Sequence, residues 1–147
     1  MTGQGDHWPS HAYIPGKTPR HAEDTFEHLR ITAIEGHDAD QLSESAAFLV
    51  GLAYLRAGFY WEAHELFEPV WMALPKPSRE RAFVQGLIQI ANGFLKLKMD
   101  RPKAAARLEG IARAHIANAG TGVVMGIEQH EVLKMLESLK VLGNEEI

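Results

Sequence analysis

No cysteine occurs anywhere in the chain. That absence removes a disulfide framework, a thiolate metal site and a cysteine nucleophile, and it suits a cytoplasmic location. Long apolar runs are missing too. The longest, Ala46 to Leu55, is too short to cross a bilayer, so no membrane partner is expected. The first residues hold Gly, Asp, His and Pro where a signal peptide has an apolar stretch. Positive charge is not in excess: 15 Lys and Arg stand against 19 Asp and Glu, a net charge of −4. With no long basic run, nucleic acid is not an expected partner. No glycine-rich phosphate loop appears, and no serine stands beside a glycine-rich elbow. Nothing reads His-Glu-x-x-His or Glu-x-x-His, the usual helical metal motifs.

What is present has the balance of a globular protein, 46% apolar and 23% charged over 147 residues, enough for one domain with a real core. Residues 1–18 carry Gly3, Gly5, Pro9, Pro15 and Gly16 around Trp8 and Tyr13, which predicts an irregular N-terminal arm with aromatics that dock on the body. Residues 19–147 read as one helical domain. Pro19 suits a first turn, and Phe26, Leu29 and Ala33 recur at helical spacing, predicting a helix over 19–34. Residues 36–40 break it. Ser43 or Ser45 caps the next helix, which runs to Ala57 and ends at Gly58. A short connection then implies an antiparallel partner over 60–74, with a kink or bulge at Pro69. Ser78 caps the longest helix, 79–98. Asp100 is the expected cap of the next, with Pro102 in its first turn and Ala104, Leu108, Ile111, Ala112 and His115 on one face. After a glycine-bracketed loop at 120–126, a final helix over 128–142 buries Val132, Leu133, Leu136 and Leu139. No strand is expected. The fold class is an all-α bundle of five to six helices.

On a wheel of about 100° per residue the 79–98 helix is apolar nearly all round. Its polar residues Arg81, Gln85, Gln89, Asn92 and Lys96 fall in one narrow stripe. Such a stripe on a central helix needs protein, water or ligand partners. The 60–74 helix turns Ala63, Phe67 and Val70 one way. Trp61, Glu65, Glu68 and Met72 point the other way, with Glu62, His64 and Trp71 at the margins. An acidic face with a histidine is thus expected to meet the amide and lysine stripe.

Two resemblances follow from these residues. Gly51, Tyr54, Gly58, Tyr60, Ala63, Phe67 and Pro75 stand at the relative positions of a tetratricopeptide repeat. The next window has Gln85 and Asn92 where glycines belong, so the resemblance implies one tight hairpin and no repeat array. The pattern Gly58-x-Tyr60-x-Glu62-Ala63-His64-Glu65, then Trp71, then Arg81-x-Phe83-x-Gln85-Gly86-Leu87-Ile88-Gln89, then Phe94-x-Lys96 resembles domain-of-unknown-function family 309 over roughly residues 48–116. The resemblance implies a compact helical fold. It also brings the family's label of predicted metal-dependent hydrolase, with Glu62, His64, Glu65, Trp71, Gln85 and Gln89 as the corresponding positions.

Three readings stand open for Trp61, Glu62, His64, Glu65, Trp71, Arg81, Gln85, Gln89 and Lys96. They form a buried structural network that fixes helix register. Or they line a pocket for a small molecule or peptide, with the arm as a lid. Or His64, Glu65 and Glu68 hold a divalent metal, Zn, Mn or Fe, for hydrolysis, with Gln85 or Gln89 orienting water and Lys96 stabilising an anion.

Overall fold

A computed structural model describes residues 7–146. The arm's Gly3 and Gly5 lie outside them. The expected all-α class is what the chain adopts: seven helices and one short hairpin among the described residues. The elements are α1 (Glu27–Arg30), α2 (Ala39–Ser43), α3 (Ala46–Ala57), α4 (Tyr60–Ala73), α5 (Arg79–Lys98), α6 (Pro102–Asn118), β1 (Val123–Val124), β2 (Ile127–Glu128) and α7 (Gln129–Glu146).

The centre of the bundle is α5. It packs on α4 to one side and most extensively on α6 to the other, while α3 covers α4 and α7 closes over α5 and α6. Its interior face is Phe83, Val84, Leu87, Ile90 and Ala91, all fully buried. Glycine sets the spacing at two crossings. A Cβ on Gly86 would sit 2.4 Å from Ile116 of α6, and one on Gly93 would sit 2.6 Å from Leu139 of α7. Those glycines let Ile116 and Leu139 seat against the α5 backbone.

The α3–α4 hairpin forms for the reason its sequence implies. Ser45 caps α3 by accepting from the Phe48 amide. At the other end Gly58 takes the left-handed conformation, φ 91°. The Phe59 amide donates to the Tyr54 carbonyl and the Gly58 amide to that of Leu55, which closes the helix end. Helix α4 then runs from Tyr60 to Ala73 with Pro69 inside it.

Several expectations need correction. The helix expected over 19–34 shrinks to α1. Thr25 donates its hydroxyl to the Ala22 carbonyl and Thr32 donates to that of Leu29. Such local bonds compete with the helical ladder. Thr32 also accepts from the Ala47 amide, filling an orphan donor of α3. The expected break at 36–40 opens instead into α2, nucleated by a capping box between Asp38 and Gln41. Asp100 does not cap α6. It is the left-handed residue (φ 62°) that ends α5, where the Arg101 amide reaches back to the Lys96 carbonyl at 2.8 Å. The loop at 120–126 contains strands: β1 and β2 pair antiparallel, and Met125 and Gly126 turn between them with positive φ. The buried face of α6 is Ala105, Ala112 and Ile116, rotated from the expected one because Ile116 fills the gap at Gly86. Leu133 of α7 is 39% exposed.

Candidate functional site

The polar arc of α4 divides between two neighbours. Its Trp71–His64 margin meets α5. The His64 ring nitrogen Nδ1 lies 2.7 Å from Asn92 Oδ1, so the imidazole donates there in the tautomer that carries the Nδ1 proton. The Asn92 amide in turn approaches Gln89 Oε1 at 3.4 Å. Arg81 lays its guanidinium over the Trp71 ring, 4.3 Å from the centroid, a cation–π contact that joins the start of α5 to the end of α4. Trp71 Nε1 is buried with no hydrogen-bond acceptor among the described residues.

The other margin, with Glu62 and Glu65, faces the N-terminal segment. Glu62 is fully buried. Its Oε2 accepts from the Tyr13 backbone amide at 2.7 Å and lies 2.6 Å from His21 Nε2. Its Oε1 is buried without a partner among the described residues. A carboxylate taken out of water demands such donors. The arm supplies the Tyr13 amide and the segment just after it supplies His21, across 49 and 41 residues of sequence. Around this bond the arm is internally braced. Thr18 accepts from the Ile14 amide and donates to the Ala12 carbonyl, both at 2.7 Å, and His11 Nε2 sits 2.7 Å from the Pro19 carbonyl. Aromatics finish the seal. Tyr13 meets Trp61 edge-on, His21 meets Phe26 edge-on, and Trp8 packs against Tyr54 and Phe59. The Tyr54 hydroxyl donates to the His7 carbonyl. Burial pushes its pKa up to about 12, and the nearby Glu62 charge adds to the shift.

Arg30 of α1 connects the two margins. It donates to the Glu65 carbonyl, approaches the Glu65 carboxylate at 3.5 Å and reaches Glu68 at 3.6 Å. Glu68 lies 3.5 Å from His64 Nε2. A single line of polar contacts therefore runs Gln89, Asn92, His64, Glu68, Arg30, Glu65.

Between the arm, α1 and α4 lies a cleft of about 270 Å³, walled by Tyr13, Arg20, His21, Phe26, Arg30, Trp61 and Glu65 among others. Arg20 stands over the Tyr13 ring, 5.6 Å from its centroid.

The expected site is thus assembled in part and divided in part. Between α4 and α5 its residues make two sets of contacts, His64 with Asn92 and Gln89, and Trp71 with Arg81. Glu62, Glu65 and Trp61 turn toward the arm and α1, away from the amide stripe. Gln85 and Lys96 are half-buried on α5, and among the described residues neither has a side-chain hydrogen bond or ion pair. The proposed metal set does not converge: His64 and Glu68 approach, but Glu65 is turned to Arg30. Among the described residues no three His, Asp or Glu side chains gather in a way that could hold a metal ion.

Tyr13, His21 and Arg30 were not among the expected site residues. The His21 side chain is 6% exposed and binds Glu62. The arm's aromatics signalled docking. Nothing in the sequence signalled its target, because the bond to Glu62 is made by a backbone amide and a distant histidine.

The family model described as "Domain of unknown function (DUF309)" matches residues 48–108. Over α3, α4, α5 and the start of α6 the chain is similar to that family. No curated protein and no solved structure matches it. The matched span contains Glu62, His64, Glu65, Trp71, Arg81, Gln85 and Gln89. The arm that binds Glu62 lies outside it. Among the described residues no helix is long and apolar enough to cross a membrane.

Proposed function

We propose that this chain is a small-ligand binding module, whose site is the cleft that the N-terminal arm closes over α4. The observation that carries this reading is the pair of hydrogen-bond contacts that the N-terminal segment makes to one buried oxygen, Glu62 Oε2, through the Tyr13 amide and His21. It fixes a loop segment over an aromatic floor and leaves a concave, part-polar space beside it. Ligand sites commonly pair an apolar wall with a few placed charges. Here the floor is Tyr13, Phe26 and Trp61. The rim carries Arg20 and Arg30 opposite Glu23, Glu27 and Glu65. Charge of both signs around so small a volume fits a compact zwitterion, such as a free amino acid or the end of a short peptide.

A second reading has its own support. The contacts from Gln89 to Glu65 are satisfied within the protein, as a network that sets helix register would be. The metal-dependent hydrolase reading has less behind it, since Glu68 already faces Arg30 and His64 lacks a third donor nearby.

Nitrogen-labelled protein titrated with glycine, glutamate and dialanine separates the first two. The binding reading expects saturable movement of the Trp61 indole and Tyr13 amide signals, with the Trp71 indole unmoved. Signals that stay fixed up to millimolar probe would leave the polar arc as a structural device and end the zwitterion proposal.

A further inference from the structure

A second concavity, larger than the arm cleft, lies away from the arm. It is a half-open groove of about 650 Å³ where the end of α3 and the start of α4 meet the C-terminal half of α5 and the middle of α7. Its volume is within the range of small-molecule sites. The floor is apolar. Tyr60 and Phe94 stack almost flat, with centroids 5.0 Å apart and planes at 13°, and Leu55, Leu97, Met135 and Leu142 continue the surface. No core residue fills it, and α7 leaves Leu142 41% exposed at its lip.

The rim is charged, and its charge is not balanced. Arg56, Lys98, Lys134 and Glu131 are the ionisable side chains of acid or base type around it. Arg56 is matched to Glu131 through two bonds of 2.9 and 3.0 Å. Lys98 and Lys134 have no carboxylate partner among the described residues. An apolar trough with two unmatched ammonium groups at its edge is complementary to an amphiphile with one acyl chain and one anionic head. The ammonium groups sit on flexible stems, whose methylenes can line the trough while the heads reach a carboxylate.

We propose that this groove binds a single-chain fatty carboxylate, with the chain against Tyr60, Phe94 and Met135 and the carboxylate held by Lys98 and Lys134. The site shares no residue with the arm cleft, so it stands or falls independently of that reading.

Dodecanoate, decanoate and dodecanol serve as probes, each kept below the concentration at which it self-associates, with binding read from the Met135 methyl signal and by calorimetry. Dodecanoate should bind saturably and move the Met135 methyl. Decanoate, two methylenes shorter, should bind roughly 15-fold more weakly, the fold-change that corresponds to ~0.8 kcal/mol for each buried methylene. Replacing both exposed lysines by methionine (Lys98→Met with Lys134→Met), which removes the charges and keeps apolar stems, should weaken dodecanoate severalfold and leave dodecanol unchanged. Ser138→Trp, which places a ring in the groove, should block both. An unmoved Met135 methyl in the presence of dodecanoate overturns the site. Dodecanol binding as tightly as dodecanoate, or no effect of the lysine replacements, overturns the assignment of an anionic ligand. Because both lysines are exposed, their variants keep the test meaningful even where the tryptophan variant fails to fold.

Discussion

Glu62 faces a problem that its neighbours on α4 do not share. It has no access to water, and an ion in that position is strongly destabilising unless donors surround it. Tyr13 and His21 supply donors to one oxygen only. The charge is felt at Tyr54, whose hydroxyl is pushed up to about 12 by burial first and by Glu62 second. The sign of the resulting pH dependence follows directly. A tyrosine whose folded pKa exceeds its ordinary value of about 10 favours the folded state while protonated. That contribution is intact below about pH 10 and is lost as pH rises through about 12. Denaturation midpoints should therefore fall over that interval, and Tyr54→Phe should flatten the fall. Glu62→Gln should move the Tyr54 titration downward only slightly, since burial is the larger cause. A Tyr54 signal that titrates near 10 in the native protein would contradict this account.

At the scale of elements, the parts that local chemistry determines were readable. Ser45, Gly58, Ser78 and Pro102 stand where their sequence context places them, at helix caps and ends. The Asp38–Gln41 spacing fits a capping box as well as a break, and the helix it starts is only five residues long. Asp100 misled for a definite reason. Asp favours both N-caps and left-handed positions, and only the geometry of the α5 end decides between them. The candidate site was legible on its α5 side, where His64 and Asn92 meet, because helical periodicity carries that information. Its other side depends on pairings between residues 35 to 49 apart, which periodicity does not encode. The helix glycines allow a test of the same logic. Gly110 faces open space on exposed α6, so Gly110→Ala should stabilise by about 0.4–1 kcal/mol through helix propensity and a less flexible unfolded chain. A Cβ on Gly51 would meet the Phe67 ring at 2.8 Å and Leu66 Cβ at 3.4 Å, inside a core with no room to yield. Gly51→Ala should therefore destabilise, since overpacking of roughly 1–3 kcal/mol outweighs the propensity gain. Urea denaturation that placed the two variants in the opposite order would defeat the argument.

The whole molecule has two levels of organisation. Helices α3 to α7 share one core with many buried contacts, whereas the arm is held by a few directed bonds and an aromatic seal. Such a segment is expected to open on its own, with less free energy than global unfolding. Two variants distinguish this from a single cooperative unit. Ile116→Val removes a methyl from the α5–α6 crossing and should cost about 0.5–1.5 kcal/mol of global stability. Arm opening leaves that crossing intact, so Tyr13 amide exchange should not change, while amides of Ile90 and Ala91 in α5 exchange roughly 2- to 10-fold faster. Glu62→Gln differs, because its bonds are broken both when the arm opens and when the chain unfolds. Hydrogen bonds to a charged group are worth about 1.5–3 kcal/mol, so Tyr13 and the α5 amides should both lose protection, by similar factors. Tyr13 exchange that accelerates in Ile116→Val as much as Ile90 does would mean that the arm and the bundle unfold together, and that the arm is no separable lid.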